Sequence, residues 1–159
     1  MSYEYEINGS LNKITTSSGT VYQFVYDTLG RNTQILVGDT VLSEISYRDS
    51  SSSQVERFDY GNGTYRTYSY DEQDRLISKS INGTIIRSYV YDKSGNVAKI
   101  VDHTTNVTTT FRHDLISRTI EIKSTDGQRL QFNYDMYNRL SMSKWILNSY
   151  SCNMGYIWR

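Results

Sequence analysis

Hydrophobic and polar residues alternate along most of the chain, in short runs that glycine, asparagine and aspartate interrupt. Tyr22, Phe24 and Tyr26, for example, occupy alternate positions of one run. Side chains two residues apart on a strand share one face of a sheet. Apolar residues recur at a spacing of two rather than at the helical 3.6, which predicts an all-β chain. The predicted strands span residues 2–6, 11–16, 20–26, 33–37, 41–47, 54–60, 64–70, 76–81, 84–91, 97–102, 107–113, 119–124, 129–134 and 140–146.

The segments between these strands are short and rich in turn residues. Asn62-Gly63 and Asn82-Gly83 stand between alternating strands. Asn-Gly in this position is a strong hairpin signal, because both residues tolerate the positive φ that a two-residue turn requires. We therefore expect consecutive antiparallel β-hairpins, about fourteen strands in one long curled or spiral sheet. We expect residues 1–159 to form a single domain.

One motif, Tyr-Asp-x-x-Gly-Arg, recurs along the chain with variations. Its copies start at residues 5, 26, 47, 70, 91, 113 and 134, so the steps are 21 to 23 residues. A fixed period of this size is typical of repeat architectures. We predict that about seven repeats each supply two strands, and that the motif is the structural turn between them. The motif residues are Tyr26, Asp27, Gly30, Arg31, Tyr70, Asp71, Arg75, Tyr91, Asp92, Gly95, Asp114, Arg118, Tyr134, Asp135 and Arg139.

The residue types of this motif suggest how the turn is held. An aspartate at the second position can accept hydrogen bonds from backbone N–H groups further along the turn. The fifth position holds mostly glycine, asparagine, aspartate or serine, the first three of which tolerate the left-handed conformation. Arginine at the sixth position lies near the aspartate, and we expect the two to pair.

A second column of bulky residues precedes each motif by two positions. Because it lies two residues before the motif tyrosine, both residues should share one face of the sheet. We predict that this column forms the packed core, since buried aromatic residues dominate core energetics. The column consists of Tyr3, Phe24, Ile45, Tyr68, Tyr89, Phe111 and Phe132.

Composition narrows the classes of function. The 17 basic and 17 acidic residues balance, which argues against a general nucleic-acid binder. Cys152 is the only cysteine, so an intrachain disulfide and a thiolate-rich metal site are excluded. No apolar run approaches the 18 residues of a membrane-spanning helix, and the N-terminus lacks the pattern of a signal peptide.

The recurring Tyr-Asp-x-x-Gly-Arg turns resemble the YD repeat of Rhs proteins, which also occurs in the B and C components of insecticidal toxin complexes, wall-associated proteins and teneurins. The resemblance extends from Tyr3 to Tyr156. It implies hairpins wound into a hollow shell, secreted or at the cell surface as part of a larger bacterial protein. It also implies an enclosed toxin or a bound glycan as the partner in the full-length parent.

The chain departs from that family in two respects. Seven repeats are too few to close a shell. The chain has no proline, so it lacks the Asp-Pro-x-Gly segment at which family members cleave themselves. No catalytic aspartate is therefore carried over, and the sequence reads as a piece of a larger shell.

Candidate catalytic and metal-binding groups each have a simpler interpretation. Asp71 and Asp74 could form a glycosidase pair, but a solvated turn explains them better. His103 and His113 have no cysteine partners for a zinc site. Ser117 near His113 and Asp114 is sequence adjacency, which does not define a triad. We predict no catalytic residue, no metal site and no cofactor.

Two function classes remain open. In the first, the chain is a non-catalytic segment of an encapsulating shell. In the second, it is a surface-binding module for carbohydrate or a cell-wall polymer, which requires several exposed tyrosines in one groove. The tyrosines concerned are Tyr22, Tyr65, Tyr68, Tyr89 and Tyr137.

The ends of the predicted sheet lead to one further expectation. An open sheet has unpaired backbone groups on its edge strands, and such edges recruit other strands. We expect a homodimer or a higher oligomer, with residues 1–7 or 140–159 at the contact.

Overall fold

In the computed structural model, residues 1–147 and 150–154 are described, and they contain fifteen β-strands and no helix. The strands are β1 (Ser2–Tyr5), β2 (Leu11–Thr15), β3 (Val21–Tyr26), β4 (Asn32–Val37), β5 (Thr40–Tyr47), β6 (Val55–Tyr60), β7 (Tyr65–Tyr70), β8 (Leu76–Ile81), β9 (Thr84–Tyr91), β10 (Val97–Asp102), β11 (Val107–His113), β12 (Thr119–Ser124), β13 (Gln128–Tyr134), β14 (Leu140–Leu147) and β15 (Tyr150–Met154).

The strands form one sheet in which the spatial order equals the sequence order, from β1 to β15. Pairs such as β3–β4, β11–β12 and β13–β14 are antiparallel. The prediction of an all-β chain of consecutive hairpins in one sheet is confirmed, and the fourteen predicted strands agree with the observed ones to within one residue at each end. The prediction missed β15, although Tyr150, Cys152 and Met154 alternate with polar residues there.

Contacts between Cα atoms divide the chain into two compact units. Unit 1 comprises Met1–Asp74 and Lys79–Thr84, and unit 2 comprises Arg75–Ser78 and Ile85–Arg159. The single domain expected from the sequence stays a prediction. Likewise β1 and β15 are the outermost strands in the sheet order, and the expected oligomer through these edges stays a prediction.

The register of the strands places the bulky column on one face, here called the aromatic face. In unit 1, Phe24 pairs with Ile35 across β3 and β4. In unit 2, Phe111 pairs with Ile122, which pairs in turn with Leu130. Residues directly opposite on neighbouring strands point to the same side, so these rows are continuous. The alternation in the sequence therefore predicted correctly which residues share a face.

The assignment of this column to the packed core stays a prediction, and in the chain as described the column is only partly buried. None of its large hydrophobic residues is fully buried in the described part; Tyr3 is 52% exposed, and the other six column residues are half-buried. The physical reason is that a second layer must cover a sheet face before its side chains leave water. Alternation of apolar and polar residues identifies which residues share a face, but it does not show whether a second layer covers that face. Among the residues whose burial the structure describes, the buried ones are Ser43, Glu121 and Ser143, which are all polar.

Partial burial lowers the expected effect of deleting a column residue. Complete removal of a buried aromatic ring costs about 3–5 kcal/mol. Phe111 is half-buried, so we expect Phe111→Ala to lower the free energy of unfolding by about 2 kcal/mol. Lys93→Ala, in an exposed turn, should change it by less than about 0.5 kcal/mol. Urea denaturation checks the difference, and equal midpoints for the two variants would contradict the assignment of Phe111 to the packed face.

The turns at Asn62-Gly63 and Asn82-Gly83 differ from each other. At Asn82-Gly83 both residues have positive φ, 48° and 79°, as expected. At Asn62-Gly63 only Gly63 does, with φ 81°. Gly61 belongs to this loop, which is closed by the N–H of Tyr60 on the carbonyl of Thr64 (2.8 Å). The loop therefore has three residues, and one positive φ at its last position suffices.

Candidate functional site

Each Tyr-Asp turn begins where a strand ends, and the aspartate caps it. Oδ1 of Asp27 accepts the N–H groups of Leu29 and Arg31, both at 2.9 Å. Asp114 accepts the equivalent two bonds at 3.1 and 3.0 Å, and Asp135 at 2.8 and 3.0 Å. One carboxylate thus satisfies two backbone donors that the turn would otherwise leave to water.

In six of the seven turns the fifth position has the left-handed backbone that its residue types suggested. Without a Cβ, or with a short polar side chain, these residues enter this region at low cost. The six φ values are Gly9 86°, Gly30 76°, Asp74 61°, Gly95 86°, Ser117 65° and Asn138 62°.

The arginine at the sixth position makes two contacts. Its Nε donates to Oδ2 of its own aspartate, at 2.6 Å for Arg31 to Asp27 and 2.6 Å for Arg118 to Asp114. Its guanidinium also lies over the tyrosine ring of the next repeat, a cation–π arrangement. The distances to the ring centroid are 4.3 Å for Arg31 over Tyr47, 4.5 Å for Arg75 over Tyr91 and 4.7 Å for Arg118 over Tyr134. The sequence suggested the first contact and not the second.

The motif tyrosine completes the connection between repeats. Its hydroxyl donates to the backbone carbonyl of the residue fifteen positions earlier. That residue follows the sixth position of the preceding turn, or occupies the equivalent place. The bonds join Tyr26 to Leu11 (2.8 Å), Tyr47 to Asn32 (2.8 Å), Tyr70 to Val55 (2.9 Å), Tyr91 to Leu76 (2.8 Å) and Tyr134 to Thr119 (2.8 Å). Sequence reasoning missed these bonds. A signal was present, since this column is tyrosine or histidine at every repeat, whereas the column two residues earlier also accepts phenylalanine and isoleucine.

These contacts define what we call the repeat joint: the tyrosine of one repeat, together with the arginine and the following carbonyl of the repeat before it. One joint in unit 2 is built differently. Asn96 replaces the arginine, and its Nδ2 donates to Oδ2 of Asp92 at 3.2 Å. His113 replaces the next tyrosine, and its Nδ1 lies 3.7 Å from the same oxygen. The histidine therefore faces the aspartate where the arginine is missing.

The pKa values of several turn aspartates are lowered. Burial alone would raise the pKa of Asp27, Asp114 and Asp135, but hydrogen bonds from backbone N–H groups and from the arginine side chain outweigh it and lower the pKa below the usual value. The pKa of Asp92 is also lowered, against the effect of burial, by the backbone and side-chain amide of Asn96. The charged form of each aspartate is thus the one that the turn stabilises.

This direction predicts how stability depends on pH. A carboxylate whose pKa is lower in the folded than in the unfolded state binds fewer protons when folded, so its contribution is complete above the unfolded pKa, about 3.9, and is lost as the pH falls below it. We expect the melting temperature to fall steeply below about pH 4. In Asp114→Asn this slope should be shallower and the melting temperature at neutral pH lower. A melting temperature independent of pH across this window would contradict the assignment.

The groups considered for catalysis are each engaged in structure. Asp74 pairs with Arg48, and Oδ1 of Asp71 accepts the N–H of Gln73. The Ser117 hydroxyl accepts a bond from Asn96 at 3.1 Å. Nε2 of His103 is 2.9 Å from the hydroxyl of Ser88. Within the described residues no group of three metal-ligating side chains occurs, and no helix is long and apolar enough to span a membrane.

Unit 2 has a shallow groove of about 440 Å³ on its aromatic face. Ile100 and Phe111 form apolar parts of its lining, and Arg87 and Asp102 form a polar part, paired at 2.7 Å. The hydroxyl of Thr104 and the guanidinium of Arg87 hold the pKa of Asp102 well below its usual range. The tyrosines proposed for glycan binding are not exposed together: Tyr22, Tyr65, Tyr68 and Tyr89 are half-buried, and Tyr137, 69% exposed, lies in a turn.

Comparison with known proteins rests on structure alone. No family profile and no curated protein matches the sequence. Solved structures do match. Crystal structures of TcdB2–TccC3, with Cdc42 or without the hypervariable C-terminal region, superpose with a TM-score of 0.73 at 19% and 20% identity. The Tc holotoxin pore of Photorhabdus luminescens matches with a TM-score of 0.72 at 17% identity. In each case 95% of this chain covers 9% of the other.

The fold of this chain is therefore similar to that of a short stretch of each of these much larger chains. The YD-repeat resemblance of the motif thus extends to the architecture. The chain spans about one tenth of the length of the chains that it matches.

Proposed function

We propose that this chain is a non-catalytic wall segment of a YD-repeat shell, part of a larger, secreted bacterial protein of the toxin-complex type. The observation that carries the proposal is the repeat joint. Its tyrosine, arginine and aspartate side chains join one hairpin to the next. Arg118, for example, donates to Asp114 and lies over the ring of Tyr134. A sheet whose neighbouring hairpins are joined at their turns suits the wall of a hollow body.

The aromatic face suggests which side of the sheet points into the shell. Its bulky column residues are half-buried or exposed, so they need a cover, and the interior of a closed shell with enclosed cargo would supply one. The opposite face of unit 2 carries a polar network in which Glu121 accepts bonds from Arg129 (2.6 Å) and Gln131 (3.3 Å). This difference supports a wall with the aromatic face inward.

Binding of carbohydrate or a wall polymer is the second candidate. The groove of unit 2 favours it, because Phe111 lines this groove together with the paired Arg87 and Asp102. Aromatic faces next to polar groups suit sugars. The half-burial of the four tyrosines weighs against a broad glycan platform.

The coding sequence on either side of this segment tests the proposal. A wall segment requires further YD turns spaced 21 to 23 residues apart, in register with those seen here, and a cargo domain beyond them. A reading frame without further repeats would contradict the proposal of a shell wall. Carbohydrate or wall-polymer binding would then be the remaining candidate function.

A wall segment should also lack hydrolytic activity. The second-position aspartates of the motif turns act as caps, and Asp135 also pairs with Arg139 at 2.7 Å. We expect no turnover on panels of glycosides, esters and peptides. Turnover that disappears in Asp71→Asn or Asp74→Asn, but persists in the control Asp39→Asn, would overturn this expectation.

A further inference from the structure

Positive charge is concentrated in unit 2. Unit 2 holds eleven lysines and arginines against six acidic residues, whereas unit 1 holds six against eleven, so the balance of the whole chain is the sum of two opposite excesses. Five consecutive strands of unit 2, β10 to β14, contain one lysine or arginine each. In the order of the strands these are Lys99, Arg112, Lys123, Arg129 and Lys144.

The strand register places all five cations on the same face of the sheet. Residues directly opposite on neighbouring strands share a face, and the pairing forms two rows across the strands. The first row consists of Lys99, Thr110, Lys123 and Arg129, and the second of Arg112, Glu121, Gln131 and Lys144. Thr110 and Arg112 flank Phe111 in sequence, so both rows lie opposite to the aromatic face. We call this surface the basic face of unit 2.

Most of this charge is not neutralised within the chain. Glu121 is the one acidic residue of the two rows; Nε of Arg129 donates to it at 2.6 Å, and a nitrogen of Arg112 donates to its second oxygen at 3.4 Å. In the part of the chain that the structure describes, no ion pair engages any of the three lysines of this face. Lys99 and Lys123 are exposed. The two rows therefore carry a clear excess of positive charge.

The stability of the sheet gives no reason for this arrangement. Lys123 and Arg129 are directly opposite each other, and like charges in that position destabilise a sheet. Unit 1 contains the favourable alternative, because Glu4 is opposite Lys13 and the carboxylate lies 3.1 Å from the ammonium. An unfavourable array of charges on an exposed face is typical of a surface that binds a partner of opposite charge.

We propose that the basic face of unit 2 binds an acidic polysaccharide, whose anionic groups are spaced along an extended chain. Neighbouring strands are about 4.8 Å apart, so the five cations form a band about 19 Å long. The hydroxyl of Thr110 lies in the row between Lys99 and Lys123, and the amide of Gln131 lies beside Lys144. Hydroxyl and amide groups between cations suit a polymer whose anionic groups alternate with hydroxyl groups.

Other anionic polymers fit this face less well. Single-stranded nucleic acids stack their bases on aromatic side chains, and duplexes are read by an element that enters a groove. The basic face is the surface of a sheet, and Phe111, Phe132 and Trp145 lie on its other side. The basic face is also distinct from the groove beside Phe111, which lies on the aromatic face.

Titration of the full chain with dextran sulfate tests the proposal, and neutral dextran of the same length is the uncharged control. Calorimetry at low ionic strength should show binding to dextran sulfate and none to dextran. The affinity should fall about tenfold or more between about 0.05 M and about 0.5 M salt, since salt screens contacts between exposed charges. Absence of binding to dextran sulfate would overturn the proposal. The chain is tested alone, so this failure would leave the proposed shell wall untouched.

Two matched pairs of substitutions locate the binding surface. Lys99→Gln combined with Lys123→Gln removes two charges from the basic face and should lower the affinity about tenfold. Lys13→Gln combined with Lys93→Gln removes the same charge from other parts of the chain and should change the affinity less than about twofold. Circular dichroism shows that both double variants fold. An equal loss of affinity in the two variants would mean attraction to net charge alone, and would refute a site on this face.

Two further titrations compare the polysaccharide with other anionic partners under the same conditions. One uses a DNA duplex, and the other uses phosphatidylcholine vesicles that contain phosphatidylserine. Each should bind about tenfold more weakly than dextran sulfate. Equal affinity for the duplex or for the vesicles would identify a nucleic acid or a bilayer as the partner, and would overturn the choice of an acidic polysaccharide.

Discussion

Replacing Tyr134 by alanine should lower the free energy of unfolding by about 2–4 kcal/mol, a large effect for a half-buried side chain. The change removes the hydroxyl bond to the Thr119 carbonyl (2.8 Å) and the ring beneath the Arg118 guanidinium (4.7 Å). Because that arginine also binds Asp114 at 2.6 Å, the preceding turn loses support as well. Chemical denaturation followed by circular dichroism measures the loss.

The same turn offers two matched variants. Tyr134→Phe keeps the ring and removes only the hydroxyl bond, so it should cost about 1 kcal/mol. Tyr137→Ala removes a tyrosine that is 69% exposed, and should change stability by less than about 0.5 kcal/mol. If Tyr134→Ala were no less stable than Tyr137→Ala, the repeat joint would not hold the sheet together.

Replacing Gly61 by alanine is expected to cost about 1–3 kcal/mol through steric overlap. A Cβ at this position would lie 2.6 Å from the carbonyl oxygen of Val41 and 3.2 Å from the Cα of Leu42. The loop cannot retreat easily, since the N–H of Gly61 donates to the carbonyl of Leu42 at 2.7 Å. Two backbones meet here, and no flexible side chain can move aside.

Gly63→Ala is the control for this substitution. It lies in the same loop with φ 81°, and no atom stands within 4 Å of the added Cβ. It therefore reports only the strain of a left-handed alanine, about 1–2 kcal/mol. Thermal unfolding of both variants separates the two causes. A Gly61→Ala protein as stable as the unmodified chain would show that β5 and the loop are farther apart than the structure places them.

Local residue chemistry explains which features the sequence could predict. The left-handed positions at Gly30 and Asn138 follow from single residue types, and the aspartate caps follow from the short loop that they close. The tyrosine hydroxyl bonds depend on how two strands align across the sheet, fifteen residues apart in sequence. Phe111 illustrates a further limit: alternation placed it on the correct face, but nothing in a local pattern tells whether a second layer covers that face.

Measuring which face of the sheet is shielded from solvent is the most direct test of the proposed wall. Thr109 and Thr110 are consecutive residues of β11, so their side chains lie on opposite faces of the sheet. Thr109 pairs with Ser124 and Thr110 with Lys123. Thr109 lies on the aromatic face, as Phe111 does. Each is changed to cysteine, in a Cys152→Ser background, within the intact native protein. The proteins are then treated with N-ethylmaleimide or with a polyethylene-glycol maleimide. The account predicts that the small reagent labels both positions, whereas the large reagent labels only Thr110→Cys until the protein is denatured. Equal labelling of both positions by the large reagent would contradict a closed wall with its aromatic face inside.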